Sequence, residues 1–391
     1  PFDQFVKEQV AGDEMDPQNP ENLVATGFLR MGPWEQTGMT IAVETRQFYL
    51  DDVTNAVGET FLSLPLRCAR CHDHKFDPIP TKDYYRLQSI FAPLQFAERD
   101  VDYLPEENQQ GFEAGQQRIQ LLLDQAKADR NVINQKEEAA AREWMESRGL
   151  TYQEKNKRSK LPVGQKPPRY YGLTYQDLGL QKALHKRIQA LQWQLERYQP
   201  IAFSVYSGPW IEKKHVANRM KMPTKLTGDL QLTHILTGGS IYTPGERVTA
   251  GTLSALPTLG STVLNQTDPQ AKNRRTQLAD WVTHPENSLT ARSIVNRIWQ
   301  HHFGVGLAGN ANNFGKMGKK PTHPELLDWL AWNFIDNGWS IKNLHRQIML
   351  SQTYQRSSRH PQYDLVSQID PQNQLLSYFQ PRRLQAEELR D

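Results

Sequence analysis

Cysteine is nearly absent. Only Cys68 and Cys71 occur in 391 residues, which excludes a fold stapled by several disulfides. No run of about 18 apolar residues occurs, so no transmembrane segment is predicted in this stretch. An excess of one charge is missing too. Forty-six Lys and Arg against 43 Asp and Glu leave a net charge of +3, which argues against a nucleic-acid partner. There is no starting Met and no export signal. The chain begins at Pro1, and a helical pattern still runs at Asp391. It reads as a fragment of a longer protein, with any export signal upstream. No repeat of fixed period is present. What remains is 38% hydrophobic and 23% charged, the composition of a globular protein with a modest core.

The apolar spacing predicts a mainly α fold: two helical domains joined by a long helical hairpin and a small β module. Residues 1–105 read as helical. Phe2, Phe5, Val6 and Val10 share a face, and Gly12 ends that helix. Val43, Leu50, Val53, Val57 and Phe61 mark a second helix, stopped by Pro65. Thr81 is the expected N-cap of a third, burying Tyr84, Leu87 and Phe91. Residues 106–200 form the hairpin, with Ile119, Leu122, Ala126 and Ile133 on one arm. Leu180, Leu184, Ile188, Leu191 and Leu195 mark the other. The basic, proline-containing stretch between them, Lys155 to Arg169, reads as a solvated linker, with an anionic-partner site as the alternative. Strand-like runs at 202–206 and 232–236 with Gly and Pro turns suggest a β module over 201–268. Residues 269–391 return to helix. Elements are expected from Leu278, from a cap at Ser288, from Pro324 (closed by Gly338) and from Ser340. Trp329, Trp332 and Trp339 are expected in the core.

Both cysteines are spent on Cys68-Ala69-Arg70-Cys71-His72, the C-x-x-C-H pattern of c-type haem attachment. Two thiols three positions apart can each add to one vinyl group on a haem edge, and the adjacent His72 can then take the iron from the proximal side. Haem c is the expected cofactor, with Cys68, Cys71 and His72 binding it. Such attachment implies a periplasmic or otherwise extracytoplasmic site. It needs room beside the thiols for a flat macrocycle. Two alternatives stay open. Cys68, Cys71, His72, His74 and Asp77 could form a zinc or other divalent-metal cluster, or the thiols could be plain structural groups. No Met follows His72 before Met145, while Met31 and Met39 lie upstream. The second axial ligand is therefore unassigned, and an open iron position would favour a catalytic role.

The motif sits in a longer string, RCARCHDHKFDPI from Arg67 to Ile79, followed by DYYR from Asp83 to Arg86. Together with PFDQFVKEQVAGD from Pro1 to Asp13, it resembles the first domain (PSCyt-type) of the planctomycete cytochrome-associated family. NRIWQHHFG from Asn296, PTHPELLDWLA from Pro321, SQTYQR from Ser351 and RRLQAEELRD from Arg382 resemble its second, PSD-type domain. The resemblance covers about residues 1–100 and 240–391. It implies large exported proteins, often with a separate c-type cytochrome module ahead of the first domain. It names no reaction.

Further candidates lie near the C-terminal end. His301 and His302 sit in tandem beside a Gly-rich loop, as a distal haem ligand, a catalytic base or helix-end caps. Asn296 and Arg297 line a cleft or dock two helices, and His323 precedes a helix as a turn residue. The expected function is an extracytoplasmic c-type haem protein in electron transfer or redox chemistry, with an oxidoreductase as the enzyme class it allows. Its partner would be a redox protein or cytochrome module. The alternatives are an exported metal-dependent enzyme linked to polysaccharide breakdown and a cell-surface scaffold.

Overall fold

Helical apolar spacing dominates the chain, and the computed structural model, which describes residues 1–32, 40–211, 220–256 and 273–390, is mainly α. Thirteen α-helices and two two-stranded sheets occur among the described residues. They pack as two units, Pro1–Val101 with Ala202–Asp391 and Asp102–Ile201.

The first unit opens with α1 (Phe2–Met15), α2 (Pro20–Ala25), α3 (Ala42–Leu62) and α4 (Thr81–Phe91). Phe2, Val6 and Val10 are buried, whereas Phe5 is exposed, because it lies about 100° from the centre of their stripe. Gly12 does not end α1. The helix kinks at Ala11 and continues to Met15. Leu50, Val53, Val57 and Phe61 of α3 are buried and Val43 is exposed. The helix stops before Pro65, at Ser63, whose φ is 51°. Tyr84, Leu87 and Phe91 of α4 are buried as their spacing predicts. Thr81 is not its cap. Pro80 holds the N-cap position, and the Thr81 N–H donates to the Asp73 carboxylate at 2.8 Å. An anion there complements the helix dipole as well as a cap would.

In the second unit, α5 (Phe112–Glu146) and α7 (Tyr175–Glu196) form the hairpin around Leu123, Ala126, Ile133, Leu184, Ile188 and Leu191. Leu180 is exposed. A capping box between Thr174 and Asp177 starts α7. The basic stretch between the arms is largely solvent-exposed, as expected, but it is pinned rather than free. It carries α6 (Lys155–Arg158) and folds back on α5. Arg158, only 5% exposed, forks onto the Glu138 carboxylate, and Lys155 pairs with Glu137 at 2.6 Å. The acids of one arm pair with bases of the linker, which composition alone does not reveal.

Back in the first unit, β1 (Leu94–Asp100) pairs with β2 (Ile201–Ser207), so the strand expected at 202–206 finds its partner far upstream. A second sheet joins β3 (Thr233–Leu236) to β4 (Pro244–Val248), antiparallel with Thr233 opposite Val248. The helices α8 (Arg274–Val282), α9 (Ser288–Phe303), α10 (Pro324–Asp336), α11 (Ile341–Met349), α12 (Tyr363–Ile369) and α13 (Ala386–Arg390) follow. Asn287, not Ser288, caps α9, because its carboxamide accepts from Leu289 N–H and also donates to Trp281 O. Ser340 caps α11 as expected. Trp339 is buried, but Trp329 and Trp332 are exposed. They lie on the face of α10 opposite Leu327, Leu330 and Phe334.

One ion pair locks the two ends of this unit together. Arg275 of α8 is fully buried and forks onto Asp13 of α1 at 2.6 and 2.8 Å, with a third bond to Val10 O. The neighbouring Glu14 carboxylate accepts from the Arg275 and Thr276 N–H groups, capping the start of α8. Burial opposes the guanidinium charge, but Asp13 and Glu14 outweigh it and hold Arg275 protonated.

Candidate functional site

The cysteine motif lies on a 3₁₀ turn, Leu66–Arg70, that packing fixes from below. Leu66 and Ala69 are fully buried. Arg70 points sideways, forming an ion pair with buried Asp51 at 2.9 Å (a close contact rather than an aligned hydrogen bond) and donating to Gly239 O at 2.9 Å. Asp51 is further held by Tyr84, Gln47 and Gln88. Burial pushes its carboxyl up, against Arg70 and these donors. Tyr85 closes the turn by donating to Arg70 O. The small and basic residues between the cysteines are thus its anchors.

The reactive groups face outward. Cys68 and Cys71 are free thiols, both exposed. Gly239, at φ +75°, lies so close to Cys71 that a Cβ there would come within 2.7 Å of its sulfur. His72 is exposed, and its Nδ1 lies 2.8 Å from Asp73 O. A carbonyl can only accept, so Nδ1 carries the proton and Nε2 keeps a free lone pair. That is the tautomer a ligating imidazole requires. Phe76 is itself 43% exposed and does not cover the thiols.

His74 and Asp77 are used differently. The His74 side chain is buried, and its Nδ1 accepts from the Asp77 N–H at 3.0 Å. The proton of the neutral ring is therefore on Nε2, which then has no lone pair for a metal. Nδ1 also lies 3.3 Å from the Asp77 carboxylate, but a ring nitrogen that accepts cannot also donate to it. Asp77 instead reaches the Gly-rich loop and accepts from Lys316 N–H at 2.5 Å. A Cβ at Gly315 would fall 2.3 Å from that carboxylate and force it to shift. Among the described residues no three His, Cys, Asp or Glu side chains are gathered to hold a metal ion. Cys68, Cys71, His72, His74 and Asp77, the alternative metal set, are not gathered as one such group. As a donor set, two exposed thiols and an exposed imidazole are the groups that c-type attachment uses. Met31 is exposed and Met145 is buried in the hairpin, while Met39 lies outside the described residues.

The same loop serves the second group of candidates. Asn296, fully buried, bonds Ala308 through both ends of its carboxamide, at 2.8 and 3.0 Å. Arg297 donates to Glu59 O and Thr60 O at the end of α3 and to Asn312 at 3.2 Å. Both residues are structural clamps. His302 meets His345 at 2.7 Å, and burial, then His345, His301 and Arg382, hold its pKa below the ordinary value of 6.5. His301 is exposed and lines a cleft of about 560 Å³ with Arg297 and Arg382. His323 bonds Thr322 at the start of α10, as a turn residue does.

Residues 1–96 match the family model PSCyt2, described as a protein of unknown function (DUF1549), and residues 274–391 match PSD1, likewise of unknown function (DUF1553). The chain carries a PSCyt2 region followed by a PSD1 region. This is the order its sequence resemblance implied. No curated protein and no solved structure matches the chain. The cysteine turn belongs to the PSCyt2 region, and the Gly-rich loop and the cleft belong to the PSD1 region. The Arg275–Asp13 pair, Asp77 with Lys316, and Arg297 with α3 all join one region to the other. The hairpin falls outside both matches. Sequence reasoning missed the Asp13–Arg275 lock, because nothing in a charged side chain's identity reports its burial. It also missed the anchoring roles of Arg70 and Asp77, although both lie inside the resemblance string.

Proposed function

We propose that Cys68 and Cys71 tether one c-type haem with His72 as its proximal ligand, and that the protein works outside the cytoplasm in redox chemistry. Bound there, the haem would supply one-electron transfer. The observation that carries this reading is the anchored turn with two free, exposed thiols and an imidazole whose Nδ1 is already committed to Asp73 O. Ala69, Arg70 and Tyr85 hold the turn, so the thiols meet an incoming group at fixed positions. Asp73 orients the ring through its carbonyl. The open face suits exchange of electrons with a docked partner, a separate cytochrome module or another redox protein. A metal enzyme built on His72, His74 and Asp77 has less support, because His74 and Asp77 are spent on the turn and the loop.

The test is production of the protein behind an export signal in a host with a working c-type maturation system. The expected product is coloured, and its colour stays with the protein through acid-acetone extraction. Cys68→Ser with Cys71→Ser abolishes the colour, while His72→Ala keeps the attached group and changes its spectrum. A colourless chain of unmodified mass, beside a matured control cytochrome from the same host, overturns the proposal.

A further inference from the structure

The geometry points to a second binding site, in the PSD1 region, that takes a carboxylate-bearing, hydroxyl-rich small molecule in the cleft beside the end of α9. It does not depend on haem. The cleft holds about 560 Å³, well within the size of small-molecule sites. Three basic side chains line it, Arg297, His301 and Arg382, and among the described residues no Asp or Glu does. The remaining polar lining is carboxamide, including Gln300, Asn312 and Gln385. Each carboxamide offers a donor and an acceptor, the complement of a hydroxyl that needs both. Arg297 is committed to the end of α3 and orients Asn312 by donating to its Oδ1.

Arg382 shows which anion fits. Its fork holds the Glu388 carboxylate through both terminal guanidinium nitrogens, and the Gln385 N–H adds a third bond at 2.8 Å. A fork of this kind suits a planar carboxylate, the group it already holds here. Arg382 and its neighbours hold the Glu388 carboxyl down to about 2, with His301 contributing to that field. Both partners are more than a third solvent-exposed as side chains, 38% and 35%. An exposed pair is weak, so an outside carboxylate can replace Glu388. The chain's own carboxylate then acts as a tethered competitor.

The experiment titrates the full chain with D-glucuronate and, separately, with D-glucose, followed by calorimetry and by the His301 ring resonances. Glucuronate is expected to bind saturably and glucose at least tenfold more weakly. Arg382→Gln lowers glucuronate affinity at least tenfold, and Glu388→Gln raises it several-fold by removing the competitor. Both positions are exposed, so circular dichroism should show the fold unchanged. Equal binding of glucose, indifference to Arg382→Gln, or no saturable glucuronate binding by either wild type or Glu388→Gln overturns the inference.

Discussion

Replacing Arg275 with alanine should be among the most destabilising single changes in this chain. The guanidinium is fully buried, and it satisfies both oxygens of Asp13, whose side chain is 3% exposed. Alanine leaves that carboxylate without its fork in a low-dielectric interior. Removing one partner of a buried pair costs about 3–5 kcal/mol. Asp13→Asn keeps the shape and leaves Glu14 at 3.2 Å as countercharge, so the loss should be smaller, about 1.5–3 kcal/mol for weakened charged hydrogen bonds. Arg275→Met with Asp13→Leu removes the fork and should recover part of the loss, because apolar replacement of a pair is often near neutral while Glu14 loses its 3.2 Å partner. Urea denaturation followed by tryptophan fluorescence reads this directly, since Trp281 lies on α8 and is buried. A double-mutant cycle isolates the coupling. The pair joins the PSCyt2 and PSD1 regions, so both should unfold in one transition. A loss under about 1 kcal/mol for Arg275→Ala, against the magnitude argued from burial, would refute the reasoning. So would separate unfolding of the two regions.

Other outcomes follow from particular contacts. Gly315→Ala should lower the thermal midpoint, at a cost of about 1–3 kcal/mol for forced overpacking, because its Cβ meets the Asp77 carboxylate. Differential scanning calorimetry checks this, with Gly149→Ala as a comparison where a Cβ meets nothing within 4 Å, though at φ +67° it carries backbone strain of its own. Arg158→Ala should free the basic stretch of the hairpin, and limited trypsin digestion should then cut at Lys155–Arg169 far faster than in wild type. The His302–His345 contact predicts a pH dependence. The folded pKa of His302 lies below its ordinary 6.5, so the unfolded chain binds the proton more readily. This contribution to stability is present above about pH 6.5 and fades as pH falls. His345, His301 and Arg382 face it, with the Tyr354 and Phe303 rings nearby. His302→Gln should flatten the stability profile between pH 7.5 and 5, and an unchanged slope would contradict it.

Apolar periodicity carried the fold a long way. Leu50 to Phe61, Tyr84 to Phe91, the two hairpin arms and Leu327 to Phe334 were all legible, because a helix that buries one stripe writes that stripe into its sequence. Pairing at a distance was not legible. The partner of residues 202–206 is 94–100, and no local pattern encodes it. Trp329 and Trp332 misled because an aromatic residue signals apolar surface without saying which face it occupies. At the site, the two cysteines and His72 stood out by spacing. The anchors did not, since Arg70 and Asp77 are polar residues whose partners, Asp51, Gly239 and Lys316, are far apart in sequence. His74 looked like a ligand, and only its contact with the Asp77 N–H reveals it as an acceptor for the turn.

The most direct measurement is a pyridine haemochrome spectrum of the full-length protein purified from an oxidising, maturation-competent compartment. Thioether attachment at Cys68 and Cys71 predicts one haem per chain, with the absorption band of a porphyrin that has lost both vinyl groups. No haem, or a haem that extracts freely and keeps its vinyl-type band, would contradict the account.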